Sequence, residues 1–532
     1  MAGTFYLLGS ITVLVLLSLL PLSVAGYVIY QLCFHPLAKY PGPLLGRITP
    51  LYDLYHAYKG DKHLLLYQLH QRYGTTIRFS PNTLSINDPA ALKAIYSHSS
   101  NVAKGEFYRG FRATPNAVST LLATEKQQHA KKRRVMGQAF SDQALRGLEQ
   151  YVLEHVQKLV DKIDGAVSES SADSKGWSAT VDMRAWCNWL VFDIMGDLVF
   201  AKSFDTLGLA ENRSAITLLT HASRRNYSIG AVPALAHSGL EKVLPPFKKL
   251  ALHRQQYFAF GKKHVMARLG DLADAVESSK KDIFSLLLRA KDPETGEGFS
   301  TPELLMEGNT LIVAGSDTSS TTMAAALYYL TSNPEMLSRL QKEVRETFSS
   351  ADQIRHGTQL QSCAYLRACI DETMRMTPAV PGLLTREVLP GGLSIPALGL
   401  ELPAGINIGI CVYSIHHHAA YVINPFKYDP ARWLKGDHAQ DKDALHAVFN
   451  PFSLGNRACL GKPLVYMELS IAIARLIWEY DMRLSPDQKV DPAIAKEIRQ
   501  GLRRSHEYQV QDWFLSNNFG PSMEFKARVT SH

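Results

Sequence analysis

A mainly α fold with small accessory β-sheets, entered through an N-terminal transmembrane helix, is predicted by three features of this 532-residue sequence. Long segments carry apolar residues at helical spacing, a few short β-like runs lie between Gly and Pro, and the front of the chain is apolar and uncharged.

The front end comes first. No Asp, Glu, Lys or Arg precedes Lys39, and residues 5–30 are almost wholly apolar. At about 1.5 Å per residue, such a run crosses a hydrocarbon core about 30 Å thick. A cleaved signal peptide would begin with basic residues and have a shorter apolar core, so residues 1–34 read as a membrane anchor. The next charges, Lys39, Arg47 and Lys59, are basic. They keep that flank in the cytosol and put the N-terminus in the lumen. Residues 35–46, with Pro41, Gly42 and Pro43, read as a proline-rich hinge that cannot prolong the helix. Residues 47–532 form one body.

In that body, apolar residues recur with a period near 3.6 over residues 143–167, 186–200, 304–330 and 464–480. Residues 75–79, 83–86, 393–395 and 406–410 read as short strands, and residues 168–175 as a Ser-rich loop. A composition of 46% hydrophobic and 20% charged residues suits a large packed core. The formal charge of +8 is compatible with an anionic membrane surface or an acidic protein partner. No nucleic-acid-reading motif accompanies it, so nucleic acid is not an expected partner. Cys33, Cys187, Cys363, Cys369, Cys411 and Cys459 show no disulfide-scaffold spacing, which suits a body in a reducing compartment.

The run Phe452-Ser-Leu-Gly455-Asn-Arg457-Ala-Cys459-Leu-Gly461, followed by a helical pattern over residues 460–479, carries most of the chemistry. A helix N-terminus favours a thiolate through its dipole and free N–H groups, and Cys459 stands at such a start. Gly455 and Gly461 allow unusual backbone angles and close approach to a flat macrocycle. Arg457 offers a fork of donors to a carboxylate. The run fits F-x-x-G-x-R-x-C-x-G at every specified position and resembles the haem-binding loop of the cytochrome P-450 family. Iron held by thiolate is the ligation associated with O–O cleavage.

Further stretches support the resemblance. Glu372 and Arg375 stand three residues apart on one helical face, and Pro430-Ala431-Arg432-Trp433 follows. They are similar to the family's E-x-x-R helix and P-x-R-[FW] loop, which implies that Glu372, Arg375 and Arg432 form a buried structural triad. Ala314-Gly315-Ser316-Asp317-Thr318 lies in the helical segment 304–330 and resembles the oxygen-binding signature A-G-x-[DE]-T. The small pair lets the helix approach the haem, and the Thr318 hydroxyl can bond the carbonyl of Ala314. Asp317 beside Thr318 is expected to relay the two protons that splitting dioxygen requires. Over residues 125–140, where the family often has W-x-x-x-R, this chain has His129 and Arg133. The resemblance makes Arg133 and Arg386 propionate ligands and leaves His129 without an assigned role. Lys131 and Lys132 would face outward and add to a basic docking surface.

The resemblance implies the cytochrome P-450 fold, with a long central helix over haem b, Cys459 as axial ligand, and Phe452, Gly455, Arg457 and Gly461 shaping its loop. It implies insertion of one oxygen atom from O2 into a lipophilic small molecule. Electrons would come from NADPH through a separate reductase, with cytochrome b5 as a further candidate partner, because the chain carries no dinucleotide or flavin motif. Phe34-His-Pro-Leu37 and Tyr365-Leu-Arg-Ala-Cys-Ile-Asp-Glu372 are similar to filamentous-fungal microsomal members of secondary metabolism, single-pass proteins of the endoplasmic reticulum membrane. Family topology puts substrate contacts in residues 106–122, 204–243, 380–385 and 518–520 and on the helix face before Gly315. Phe107, Phe111, Leu311, Leu383, Leu384 and Phe519 are the apolar candidates among them.

A haem-thiolate isomerase or dehydratase that rearranges peroxides is the first rival, and the Asp317 and Thr318 pair argues against it. A non-enzymatic haem-binding membrane protein is the second, and it leaves the proton-delivery residues without a purpose. The tract His416–His418 reads as a solvated or packed loop in preference to a metal site.

Overall fold

In a computed structural model, the described residues are 20–112, 117–169, 176–274, 282–436, 440–488 and 490–528. The interior is organised around the helix Thr301–Ser332. Its start is set by Ser300: backbone N–H and Oγ of Ser300 both donate to Glu303, at 3.0 and 2.9 Å, and Pro302 occupies the first turn, where a missing N–H costs nothing. Asn333 and Pro334 end it. Met183–Phe200 packs along this central helix, and Gly315 explains how closely: a Cβ there would lie 2.4 Å from the sulfur of Met195. The small residue of the signature therefore serves contact between two helices.

The helical segments read from periodicity form with modest changes. The segment at 143–167 divides into Asp142–Arg146 and Glu149–Ser168 at Gly147, whose amide turns back to the Ala144 carbonyl. The others appear as Met183–Phe200, Thr301–Ser332 and Lys462–Glu479. Of the Ser-rich stretch at 168–175, Ser168 still belongs to a helix and residues 170–175 lie outside the described ones.

A five-stranded sheet runs in the order Thr76–Ser80, Thr83–Ile86, Asn407–Gly409, Arg386–Val388, Val102–Ala103. Its one parallel pairing puts Leu84 opposite Ile408, and Arg386 faces Ile408 from the other side. Arg386 is thereby held on a rigid strand. Leu393–Ile395 pairs separately with Leu400–Leu402.

Residues 20–29 are helical and continue into a π-helical turn, Tyr30–Phe34. Residues 1–19, most of the expected anchor, lie outside the described residues, and among the described residues no helix is long and apolar enough to cross a membrane. The hinge is not a free spacer. Arg78, fully buried, donates to the Gln31 carbonyl at 2.7 Å and its own amide donates to Pro41 O at 2.8 Å. A Cβ on Gly42 would come within 2.0 Å of the Arg78 carbonyl. The boundary drawn at 46/47 falls inside the helix Leu44–Ile48.

Candidate functional site

The cysteine loop is shaped by its own backbone. The Cys459 amide donates to Phe452 O at 2.8 Å and the Ala458 amide to Gly455 O at 3.0 Å. Gly455 has φ +64°, and a Cβ on it would meet the Tyr96 carbonyl at 2.1 Å. The helix end beside it, Pro89–Tyr96, is one reason this position needs a glycine. Gly461 has φ −76°, open to any residue; a Cβ there would rest 3.7 Å from the Cys459 sulfur. The Phe452 ring packs on Tyr466, 5.4 Å between centroids.

Cys459 lies three residues ahead of the helix Lys462–Glu479 instead of at its first turn. Its surface is accessible, yet the sulfur sits deep enough that burial pushes the thiol up. The Gly461 and Lys462 amides and the Arg133 guanidinium pull the other way. The favourable helix-start influence is present, but burial outweighs it.

Next to the loop, a cavity of 360 Å³ is lined by His129, Arg133, Arg386 and Arg457 among others. Arg386 donates to Thr385 O at 2.9 Å and Tyr108 Oη at 3.3 Å, Arg133 to Ala458 O at 2.7 Å, and Arg457 to the carbonyls of Ala123 and Thr124. Among the described residues, none of these three guanidinium groups has a carboxylate within salt-bridge distance. Burial, with Arg386 and Arg457 nearby, holds the pKa of the neighbouring Lys104 far below the ordinary lysine value, so it does not count among these cations. Burial and the same charges depress His129 to about 3, so it stays neutral. Arg386 is buried and Arg133 and Arg457 are partly buried; gathering such cations without a counter-charge is costly, and an anionic group would offset it. The two propionates of a haem, with Cys459 as sulfur donor, fit these residues.

Lys131 and Lys132 do not form a free basic surface. Lys132 is buried and paired with Glu303 at 2.5 Å, Lys131 pairs with Glu297, and Arg134 grips Asp292 at 2.7 and 2.9 Å. These pairs fasten the helix Lys126–Ala139 to the chain entering the central helix.

Glu372, fully buried, accepts from Arg375 twice at 2.9 Å, from Arg432 at 3.0 Å, from Trp433 Nε1 at 3.0 Å and from the Asp429 amide at 2.9 Å. Burial pushes its carboxyl up, but the two guanidinium groups outweigh it and hold the pKa below the ordinary value. Arg375 also donates to the carbonyls of His416 and Pro425. The histidine tract is packed: His416 and His417 are wholly buried, and among the described residues no group of ligating side chains could hold a metal ion.

On the central helix, Thr318 Oγ1 donates to Ala314 O at 2.7 Å. Burial raises the Asp317 carboxyl to about 7, opposed by Arg184. Asp317 lines a cleft of 30 Å³ with Arg184, Asn188 and Thr321. Directly after Thr318, Ser319 donates at 2.8 Å to Glu468, a carboxyl that burial raises to about 8. Neither Arg184 nor Glu468 was marked by any motif, since each meets the central helix only through folding.

A larger cavity, 630 Å³, is lined by Thr310, Val313 and Ala314 of the central helix, by Phe111 and Leu122, and by Trp513, Phe514 and Leu515. Of the six apolar candidates, only Phe111 lines it. Phe107 fills the notch at Gly230, where a Cβ would meet its ring at 2.7 Å. Leu311 points into the main core, and Leu383 and Leu384 pack in clusters behind the sheet. Phe519 is not among the lining residues; the chain turns into the cavity at 513–515 instead, between the paired strands Val510–Trp513 and Leu515–Asn518. Helix Pro245–Asp274 contributes Arg254, Tyr257 and Phe258, which no sequence pattern had marked.

Comparison with known proteins agrees with this geometry. The sequence model of the family described as Cytochrome P450 matches residues 36–511. The chain is 37% identical over 523 residues to the cytochrome P450 monooxygenase AKT7 of Alternaria alternata, covering 97% of this chain and 98% of the relative. It is 38% identical over 517 residues to the cytochrome P450 monooxygenase poxM of Penicillium oxalicum, covering 96% and 94%. A crystal structure of a cytochrome P450, CYP102L1, superposes with a TM-score of 0.71 at 18% identity, covering 92% of this chain and 99% of that one.

Proposed function

Because the chain belongs to the cytochrome P450 family and is a haem-thiolate monooxygenase, we propose that it oxidises a lipophilic small molecule of fungal secondary metabolism, a terpenoid, polyketide or alkaloid, with electrons passed from NADPH by a separate reductase. The observation that carries the reading is the company of Cys459: the guanidinium groups of Arg133, Arg386 and Arg457, with no acid paired to any of them among the described residues.

Haem held by Cys459 would supply the activation of O2, the hard step in the reaction. This chain's residues would do the rest. Arg133, Arg386 and Arg457 would hold the propionates, and the backbone bonds from Cys459 to Phe452 and from Ala458 to Gly455 would fix the sulfur's direction. Asp317 would take protons from the cleft beside Arg184, since a carboxyl near 7 exchanges readily at physiological pH. Thr318, its hydroxyl hydrogen engaged by Ala314 O, keeps oxygen lone pairs free to orient a water. The apolar wall of Val313, Ala314, Phe514 and Leu515 would exclude bulk water from the substrate.

Residues 5–30 are read as a single membrane span of the endoplasmic reticulum, with the N-terminus lumenal and the body cytosolic. The exposed apolar side chains of Leu20, Leu22, Val24 and Ile29 support that reading. A reductase and cytochrome b5 in the same membrane are the partners this arrangement would serve.

The test is spectroscopic. The ferrous protein with carbon monoxide should show the red-shifted Soret band of thiolate ligation, and Cys459→Ala should lose it. An unchanged band in that variant overturns the assignment. Mass analysis of products formed by membranes, reductase and NADPH in extracts of a strain lacking this chain would identify the substrate as a precursor that gains one oxygen.

A further inference from the structure

The wall of the larger cavity is unusual in its charge. Arg112, Arg225, Lys242, Lys248 and Arg254 line it, against a single acid, Glu241. That acid is already spoken for: Arg225, buried, donates Nε to one of its oxygens at 2.7 Å and Nη2 to the other at 2.6 Å. Arg225 also donates to Gly110 O at 2.8 Å. This pair is a closed structural unit.

Arg254 is left with no such partner. Its Nη2 donates to the carbonyls of Phe111 and Arg112, at 3.1 and 2.7 Å, which pins the guanidinium against the chain leaving the helix Glu106–Arg109. Among the described residues, Nε and Nη1 of Arg254 have no hydrogen-bond acceptor and no carboxylate lies within salt-bridge distance. Burial and the neighbouring Arg225 lower its pKa to about 10, so it remains a cation at neutral pH.

Two further polar atoms on the same wall are buried and unpartnered. Tyr257 Oη belongs to the residue one turn after Arg254, and Asn309 Oδ1 of the central helix sits against Gly261; neither has a partner among the described residues. Buried polar atoms without partners carry a desolvation cost that a bound ligand can relieve. The free Nε–H and Nη1–H of Arg254 point to opposite sides of the guanidinium, so a carboxylate oxygen can accept one of them as a single charge-assisted hydrogen bond. Leu121, Leu122, Val313, Ala314, Phe514 and Leu515 form an apolar part of the lining, beside the polar Ser119, Ser223, Asn226, Gln255 and Thr310.

We propose that the substrate is a lipophilic carboxylic acid whose carboxylate is bound by Arg254, with Tyr257 as an additional hydrogen-bond donor, and whose apolar body lies along Val313, Ala314 and Phe514. This rests on the monooxygenase reading above and narrows it to a substrate class. Arg254 is a specificity-determining residue here, distinct from the haem-side cations and the proton-relay pair.

The experiment uses the full-length holoenzyme, with hexadecanoate, its methyl ester and hexadecan-1-ol as probes below their aggregation limits. Binding is read twice: by the spin-state shift of the Soret band, and by equilibrium dialysis of labelled probe, which needs no spectral response. The acid should bind at least about tenfold more tightly than the ester or alcohol, the scale of one charged hydrogen-bonded pair. Arg254→Gln should bring the three within about twofold, and Arg254→Lys should keep part of the preference. Equal affinities for acid and ester in the native enzyme, or an undiminished acid preference in Arg254→Gln, overturn the proposal. If Arg254→Gln does not fold, the native ratio and the lysine variant still decide it. The carbon monoxide spectrum of each preparation separates the two readings: a normal thiolate band with no acid preference sinks this inference alone, whereas a missing band sinks the haem assignment beneath it.

Discussion

Arg133 donates from Nη1 to the carbonyl oxygen of Ala458, 2.7 Å away, so the helix Lys126–Ala139 holds the residue immediately before the cysteine. The same guanidinium borders the cationic cavity. One side chain thus serves both the direction of the sulfur and the charge that faces it. Arg133→Leu is expected to remove a charged hydrogen bond of about 1.5–3 kcal/mol and to speed haem loss about tenfold or more. Haem transfer to excess apomyoglobin measures this, and Arg133→Lys should fall between the two.

Glu372 is the single acid between two buried arginines. Glu372→Ala leaves both uncompensated and is expected to cost about 3–5 kcal/mol, read as a lowered urea midpoint at unchanged slope. The sign of the pH effect follows from its depressed pKa. The folded state holds the carboxylate charged more firmly than the unfolded chain, whose ordinary value is 4.5. That stabilisation is full above about 4.5 and is lost as pH falls through the folded value. Acid unfolding of the native protein should therefore have a component that Glu372→Gln lacks.

Glu468 behaves in the opposite sense. Its folded pKa is raised to about 8 from 4.5, so the native state retains a proton that the unfolded chain releases. Stability should decline as pH rises from about 4.5 to about 8, by up to about 1.4 kcal/mol per unit, and level off beyond. Glu468→Gln keeps a partner for Ser319 and has nothing to titrate. Its thermal midpoint should change less with pH across that window than the native protein's.

Thr318→Ala removes the hydroxyl beside Ala314 without enlarging a side chain. We expect more peroxide released per NADPH consumed, measured with reductase and substrate present; equal coupling in both proteins counts against the relay. Arg184→Ala tests the acid. Arg184 lowers the Asp317 pKa, so its loss should raise that pKa and shift the corresponding limb of the turnover profile to higher pH.

The motifs that were legible in the sequence are those whose members are neighbours in the chain or share a helical face. Cys459 with its loop, Asp317 beside Thr318, and Glu372 three residues before Arg375 all fall within a few residues of one another, where spacing alone fixes proximity. Periodicity located the helices for the same reason, and it failed at Gly147, where one residue ended a turn that hydrophobic spacing would have continued.

The cavity walls were not legible. Phe107, Leu311, Leu383, Leu384 and Phe519 are apolar like any lining residue, but whether such a side chain meets a cavity or another side chain is decided by packing between distant elements. Gly315 and Gly455 were read as concessions to a cofactor, and tertiary structure shows what each faces: Met195 of a neighbouring helix, and the Tyr96 carbonyl. Lys131 and Lys132 were read as a free surface because their acids, Glu297 and Glu303, lie far along the chain.

By itself, the sequence determined the family and the order of the helices, and it singled out Cys459 as the candidate thiolate ligand, because these depend on short-range spacing that survives in one dimension. Only the tertiary structure decided which cations gather without acids around Cys459, and that Arg254 faces the larger cavity with two donors free. Burial and charge balance are sums over residues from many segments, and no local stretch of chain contains them.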